Sequence, residues 1–309
     1  MPVITQLASL LGRTAEVKPK LSLAPDALVK LIVARDKIPD PPRVNPKGYI
    51  HVSSLIRGVC SRMLSLQHRF NNFPPEYVNG ATRVMWQMGR EVERHVRAQL
   101  IAALPPLQVY GQWKCVCGKR TREGTAQDSH RCSRCGSFAS IYVELDLEDD
   151  EYYVTGHPDF VLILDGLMYP VEIKSLGNSP SANSRKEGFD TIKGPFVNHE
   201  LQVSSYHKML QPIANRIGIP LGRVAIILYV SKDFNGFKSP YPYKEYHIDP
   251  FARKELIFQL FRDGRAAYHG AKTMLPPRLN ACSSAGTKCA LGCLMVKECF
   301  ALPSTKPVQ

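Results

Sequence analysis

Residues 156–174 read GHPDFVLILDGLMYPVEIK, and this stretch decides the fold. Asp165-Gly166 lies between two apolar runs, which is the strongest short-range signal of a β-hairpin. If these two residues form the whole turn, counting outward places Asp159 directly opposite Glu172. Lys174 shares their face because side chains alternate along a strand. The sequence therefore predicts a hairpin with three reactive side chains at the end away from the turn.

The same alternation predicts which side of the hairpin is buried. Asp159 and Glu172 stand on one face, and Pro170 interrupts the second strand opposite Val161. A bulge at Pro170 would shift the register by one residue and turn Glu172 away from Asp159. The other face is an uninterrupted apolar surface that we expect to be buried, and it consists of Phe160, Leu162, Leu164, Leu167, Tyr169, Val171 and Ile173.

The paired carboxylates predict a metal site. Two carboxylates opposed across a ladder repel one another, and a divalent cation between them removes that repulsion. Hard cations such as Mg²⁺ take carboxylate oxygens and keep several waters, which leaves positions for a substrate phosphate and an attacking water. Lys174 can position or help to deprotonate that water. The alternative is a solvated Asp, Glu and Lys on an exposed sheet edge.

These motifs resemble a known family. Gly-x-x-Asp, a hairpin and Glu-x-Lys are similar to the core of the PD-(D/E)XK nucleases, and Gln202-Val203-Ser204-Ser205-Tyr206 resembles the Gln-x-x-x-Tyr element of their RecB-like branch. Gln202 and Tyr206 share one helix face, so both can reach the same site. The resemblance implies a restriction-endonuclease-like core in which Asp159, Glu172 and Lys174 are catalytic. It also implies that Gln202 and Tyr206 hold the site together and contact DNA.

The family also places a His or Glu on a helix upstream of the sheet, often four residues after a Gly. After Gly89 that position is Glu93, and His95 lies two residues further along. Two residues correspond to about 200° around a helix, so both side chains cannot point inward. We favour Glu93 as a third ligand for Mg²⁺ or Mn²⁺, and His95 stays an alternative.

The cysteines fall into groups with metal-binding spacing. The chain has nine, and without an export signal metal binding is favoured over disulfides, because cytosolic thiols are kept reduced. Two short knuckles are separated by a polar loop with no apolar period, and their spacing resembles a zinc ribbon. We predict one structural Zn²⁺ on Cys115, Cys117, Cys132 and Cys135, with His130 as a possible substitute ligand.

The remaining cysteines suggest a second metal centre. Cys60-Ser61-Arg62 resembles the upstream Cys-x-Arg of RecB-like nucleases that carry a [4Fe-4S] cluster, in which one early cysteine joins three near the C-terminus. These relatives usually have Cys-x-x-Cys, whereas three residues separate Cys289 from Cys293, so the choice among Cys282, Cys289 and Cys293 stays open. All-thiolate ligation suits iron–sulfur or zinc equally, and buried thiols are a further alternative. The resemblance favours a cluster on Cys60, Cys289, Cys293 and Cys299, with Cys282 as the alternate.

The charge of the chain indicates its class of partner. The chain has 309 residues and a formal net charge of +13, which favours an anionic partner such as nucleic acid, with a membrane surface as the rival. No apolar run approaches the roughly 20 residues of a membrane-spanning helix. Met1–Leu11 lacks the basic start and cleavage site of a signal peptide. We therefore expect a cytoplasmic protein that does not bind a membrane.

We predict a mixed α/β (α+β) fold in which helices flank a central mixed β-sheet. Residues 1–50 form an N-terminal arm with a proline-rich linker, and residues 51–309 form the nuclease domain. This domain contains the zinc-ribbon-like insertion at 112–138 and the cysteine cluster at 282–299. Periodicity predicts helices at 25–35, 53–68, 81–104, 199–213 and 251–269, and strands at 141–147, 152–175, 224–230 and 243–248.

The resemblance implies a metal-dependent DNA exonuclease. The motifs are most similar to those of the CRISPR-associated RecB-like exonucleases and their phage-encoded relatives. These enzymes cut DNA, often single strands from an end, with Mg²⁺ or Mn²⁺. The corresponding processes are recombination, repair, replication and spacer acquisition. The alternative is a non-catalytic DNA-binding or assembly subunit, in which the zinc module or the N-terminal arm contacts a protein partner.

Overall fold

The computed structural model describes residues 47–58, 60–70, 80–120, 123–128, 131–177, 188–233, 241–278, 282–287, 293 and 295–302. The strands of these residues are β1 (Ile50–His51), β2 (Val109–Lys114), β3 (Gly124–Thr125), β4 (Ile141–Val143), β5 (Leu147–Asp149), β6 (Val154–Gly156), β7 (Phe160–Leu164), β8 (Leu167–Leu176), β9 (Ala225–Ser231) and β10 (Tyr243–Ile248). The helices are α1 (Val52–Ile56), α2 (Ser61–Phe70), α3 (Gly80–Ala103), α4 (Val197–Ile217), α5 (Lys254–Lys272) and α6 (Val296–Ala301).

A mixed sheet forms the centre of the molecule. Its strands lie in the order β10-β9-β8-β7-β2-β3, and β4 also pairs with β2. β8 and β9 run parallel, whereas the other neighbours are antiparallel. A smaller sheet has the order β1-β6-β5. The predicted fold class, a mixed sheet flanked by helices, is confirmed.

The hairpin has the predicted register. Asp165 and Gly166 both adopt positive φ values, 50° and 73°, as a two-residue type I′ turn requires. The pairing of β7 with β8 runs without a bulge from Leu164↔Leu167 to Phe160↔Val171. Pro170 is tolerated in β8 because the pairing with β9 begins only at the next residue, Val171.

Two helices cover opposite faces of this hairpin. On one face the apolar side chains near the reactive end pack against α3, and on the other face they pack against α4. The reactive end is therefore enclosed between two helices, where a low dielectric strengthens electrostatic interactions. The α3 side consists of Phe160, Val171, Ile173 and Val96, and the α4 side of Val161, Ile163, Met168, Tyr206 and Leu210.

The prediction that one hairpin face is buried throughout is wrong near the turn. Leu164 has an exposed fraction of 41%. Leu162, Leu167 and Tyr169 are only half-buried. The cluster around α3 buries residues at the opposite end of the hairpin, so the turn end projects beyond the helix that would cover it.

The helix predicted at 53–68 is also corrected, because it is two helices. Gly58, which follows α1, has a left-handed φ of 71° that interrupts the helical backbone before α2. The helices predicted at 81–104 and 199–213 and the strand at 243–248 are confirmed. The predicted helix at 25–35 and the proline-rich linker lie outside the described residues. In the part of the chain that is described, no helix has the length and apolar character needed to cross a membrane.

Candidate active site and metal centres

Asp159 lies immediately before β7, where the ladder with β8 has ended. The backbone N–H of Ile173 in β8 donates a hydrogen bond of 2.8 Å to Oδ2 of Asp159. The carboxylate thus replaces the backbone carbonyl that would accept this hydrogen bond if the ladder continued. This bond holds Asp159 beside Glu172, the neighbour of Ile173 on the same strand.

Glu172 is the most unusual group of the site. Its exposed fraction is 1%, and Oε1 forms an ion pair with Nζ of Lys174. Oε2 is buried and has no hydrogen-bond partner. A buried charged oxygen without a partner carries a desolvation penalty of about 1–3 kcal/mol or more. Among the described side chains, Oε2 of Glu172 is the one buried nitrogen or oxygen atom without a hydrogen-bond partner.

The charges of these three residues are strongly linked. Burial raises the pKa of Asp159 well above its ordinary value, and the nearby charge of Glu172 raises it further. Burial also raises the pKa of Glu172, although Lys174 opposes this. For Lys174, burial acts to lower the pKa, but the two carboxylates outweigh it and raise the pKa. Two carboxylates therefore face one lysine, whose single positive charge neutralises only one of them.

Glu93 approaches this site from α3. The hydroxyl of Ser175 in β8 lies 3.5 Å from Oε1 of Glu93 and donates to it. Gly89, one turn earlier, allows this close approach, because a Cβ there would lie 2.9 Å from Oγ of Ser175. Burial raises the pKa of Glu93. His95 is exposed and lies 3.0 Å from the Gln99 amide, so of the two upstream candidates only Glu93 faces the sheet.

Sequence reasoning missed a second ion pair at the rim of the site. Arg97, one turn after Glu93 on α3, pairs with Glu144 at 2.6 Å and donates to the backbone oxygen of Asp159 at 3.3 Å. The charge of Glu144 contributes to the raised pKa values of Asp159 and Glu172. The helical interval between Glu93 and Arg97 is the signal that could have identified the arginine.

Gln202 and Tyr206 lie on the α4 side of the sheet. Nε2 of Gln202 donates a hydrogen bond of 2.8 Å to the Tyr206 hydroxyl, and both side chains are buried. Burial raises the pKa of Tyr206 well above its ordinary value, and the charge of Glu172 adds to this. Gly156 packs on the tyrosine ring, where a Cβ would lie 2.5 Å from Cε1. The glycine of the Gly-x-x-Asp motif is therefore required by the tyrosine of the second motif.

The four central cysteines form a compact group that can hold a metal ion. Their sulfurs all lie within 4.8 Å of one another. Each knuckle closes on a glycine with positive φ, Gly118 at 88° and Gly136 at 71°. The backbone N–H of Ser137 is the main cause that lowers the pKa of Cys135 to about 6. Cys115 and Cys132 are buried, whereas Cys117 and Cys135 are exposed. His130 lies outside the described residues.

The carboxylates are less tightly gathered than the cysteines. Among the described residues, the cysteine group is the one set of three or more Cys, His, Asp or Glu side chains whose ligand atoms all lie within 4.8 Å. The oxygens of Glu93, Asp159 and Glu172 are therefore spread more widely. Their mutual effects on pKa nevertheless place them in one electrostatic unit.

The C-terminal cysteines converge with Cys60 on one cavity. Four of the candidates, Cys60, Cys282, Cys293 and Cys299, line this cavity together with Arg62 and Arg278. The Arg62 guanidinium, 1% exposed, donates to Sγ of Cys299 at 3.3 Å, and the Met63 backbone N–H donates to Sγ of Cys60 at 3.3 Å. The predicted spare, Cys282, thus belongs to the same cavity. Cys289 lies outside the described residues.

Comparison with protein-family models and with curated proteins gives no match for this chain. The resemblance to the RecB-like nucleases therefore rests on the motifs themselves, and the restriction-endonuclease-like core stays a prediction.

Proposed function

We propose that this protein is a metal-dependent DNA nuclease that hydrolyses phosphodiester bonds, acting on single strands or ends. The observation that carries the proposal is the buried oxygen of Glu172 that has no hydrogen-bond partner, beside a second carboxyl group with a raised pKa. A buried carboxylate pair in this state is what a divalent cation would stabilise. Asp159 and Glu172 would hold Mg²⁺ or Mn²⁺, and Glu93 would be the third ligand.

Each residue of the site can have a separate role in hydrolysis. When bound, the cation supplies Lewis-acid polarisation of the phosphate and lowers the pKa of a bound water. Lys174, with Nζ held by Glu172, orients the attacking water and stabilises charge that grows on the phosphate oxygens. Asp159 keeps its position through the Ile173 amide. Gln202 and Tyr206, both buried, would hold the α4 side of the site in place.

The central test is cleavage of end-labelled single-stranded DNA by purified protein with Mn²⁺. Glu172→Gln removes a ligand, and Lys174→Ala removes the group that orients water. We expect Lys174→Ala to lower the rate by about 10²- to 10⁴-fold, the usual contribution of a positioned proton-transfer group, and Glu172→Gln to lower it by at least about tenfold through weaker metal binding. Glu245→Gln and Lys254→Ala are matched controls, because both side chains are exposed and lie away from the site, and they should cleave like the wild type. Equal degradation by wild type and both site variants would refute the proposal.

We propose that the central cysteine group holds one structural Zn²⁺. The donor set fits, because four sulfurs at this separation provide a closed tetrahedral site with no position left for a substrate. The ion would be needed for folding of the insertion, which has few apolar residues of its own. Metal analysis of purified protein should give one zinc per chain, and Cys132→Ser should lose it. Zinc retained in full by that variant would contradict the assignment.

We propose that the C-terminal cavity holds a [4Fe-4S] cluster, with Cys60, Cys289, Cys293 and Cys299 as ligands and Cys282 as the alternate. Support comes from the convergence of four described cysteines and from Arg62 and Arg278, whose positive charge suits a negatively charged thiolate cluster. Anaerobically purified protein should contain iron and sulfide. A second equivalent of zinc in place of iron would refute the cluster.

A further inference from the structure

The outer surface of the cysteine module exposes large apolar side chains. Val116 has an exposed fraction of 81% and Phe138 one of 56%. Val116 follows the buried Cys115, and Phe138 precedes the buried Ala139. Val116 and Arg134 directly precede the two exposed cysteines, whose sulfurs lie in the same compact group, so the two knuckle tips are neighbours.

This surface is also strongly basic. Lys119, Arg131 and Arg134 are exposed, and the Arg131 guanidinium lies 4.6 Å from the centre of the Phe138 ring. The acidic groups of the module are engaged elsewhere. Glu123 forms an ion pair with Arg216 of α4, and Asp128 accepts hydrogen bonds from Thr125. We define the knuckle surface as Val116, Lys119, Arg131, Arg134 and Phe138.

The module is connected to the loop that carries Asp159. Arg120, next to Lys119, forms an ion pair of 2.8 Å with Asp146. Asp146 in turn lies 3.0 Å from Nδ1 of His157, two residues before Asp159. The base of the module is therefore linked, through two side-chain contacts, to the segment that carries Asp159.

We propose that the knuckle surface binds single-stranded nucleic acid, with a base stacked on Phe138 and phosphates on Arg131, Arg134 and Lys119. An exposed aromatic ring surrounded by cations is the combination that binds single strands without sequence preference. The inference rests on the proposed nuclease function, because the knuckle surface would give the substrate strand a second contact in addition to the carboxylates. An acidic protein partner is the competing occupant, and the experiment distinguishes the two.

The test is fluorescence anisotropy with a labelled single-stranded oligonucleotide, in buffer without Mg²⁺, Mn²⁺ or chelator, so that cleavage plays no part and bound zinc is retained. Phe138→Ala should weaken binding about tenfold, and Phe138→Tyr should restore it because the ring remains. The double variant Arg131→Ala/Arg134→Ala should lower the slope of log K against log salt by about 1.4, for two lost phosphate contacts.

Matched controls lie at the turn end of the sheet, where Gly222 pairs with Met168. Phe251→Ala removes a ring that is 64% exposed, compared with 56% for Phe138, and Arg223→Ala/Lys254→Ala removes two exposed cations. These controls should bind like the wild type. Unchanged affinity and salt slope in the knuckle variants would overturn the inference, as would loss of binding to the same extent in the controls. Binding that depends on the knuckle without any cleavage would leave the inference intact and refute the nuclease proposal alone.

Discussion

Replacing Glu172 with glutamine tests cation binding independently of cleavage. A cation that binds only the folded protein stabilises it by about 2.7 kcal/mol at a concentration one hundred times Kd. Loss of groups that merely support metal ligands weakens affinity by about 10- to 100-fold, and loss of a charged ligand should be at least as severe. With a Kd one hundred times weaker, the same Mn²⁺ concentration gives only about 0.4 kcal/mol. Glutamine has nearly the shape of glutamate, so the substitution removes the negative charge of a buried side chain that pairs with Lys174.

The assay is thermal unfolding with increasing Mn²⁺, with each protein compared with its own metal-free midpoint. At roughly 2–4 °C per kcal/mol, the wild type should rise by about 5–11 °C and Glu172→Gln by about 1–2 °C. Glu245→Gln, on β10 of the same sheet with a side chain 56% exposed, should behave like the wild type. Equal rises in the midpoints of Glu172→Gln and the wild type, or no stabilisation of either by Mn²⁺, would rule out a cation held by Glu172.

Three further outcomes follow from the same structure. Gly156→Ala should destabilise the protein by about 1–3 kcal/mol in denaturant unfolding, because the new Cβ meets the Tyr206 ring at 2.5 Å, whereas Gly194→Ala, with open space around it, should not. Burial, and then Glu172, raise the pKa of Asp159, so its stabilising proton is fully bound below the unfolded pKa and is lost as pH rises through the folded pKa. In metal-free buffer the wild-type thermal midpoint should therefore fall as the pH rises above the ordinary pKa of an aspartate, and that of Asp159→Asn should fall less; an equal fall in both would contradict this. Zinc chelation should unfold the module and abolish protection of the amides that pair residues 112–114 of β2 with β4 from hydrogen exchange, while the β8–β9 amides stay protected; unchanged protection of that end of β2 would count against a structural zinc.

The hairpin could be predicted because its determinants are local. Asp165-Gly166 sets the turn, the turn sets the register, and the register brings Asp159 next to the strand that carries Glu172. The central cysteine group was predictable for the same reason, since each knuckle is a few residues long and closes on a glycine. In both cases short sequence spacing translates directly into geometry.

The rest of the site depends on contacts between distant segments. The Arg97–Glu144 pair joins α3 to the residue after β4, and no spacing in the sequence indicates that they meet. The exposure of Leu164 depends on how far along the hairpin the covering helix extends. The alternation of apolar residues in the strand gives no information about that. The place of Cys282 in the C-terminal cavity likewise follows from chain packing, whereas the spacing of the cysteines left the choice open.

The most direct measurement is anomalous X-ray scattering from crystals grown with Mn²⁺ and a cleavage-resistant single-stranded oligonucleotide. We expect a manganese peak coordinated by carboxylate oxygens of Asp159 and Glu172, with Nζ of Lys174 beside it and a phosphate oxygen in the remaining coordination shell. A map without manganese at these carboxylates, or with Glu172 still bound only to Lys174, would contradict it.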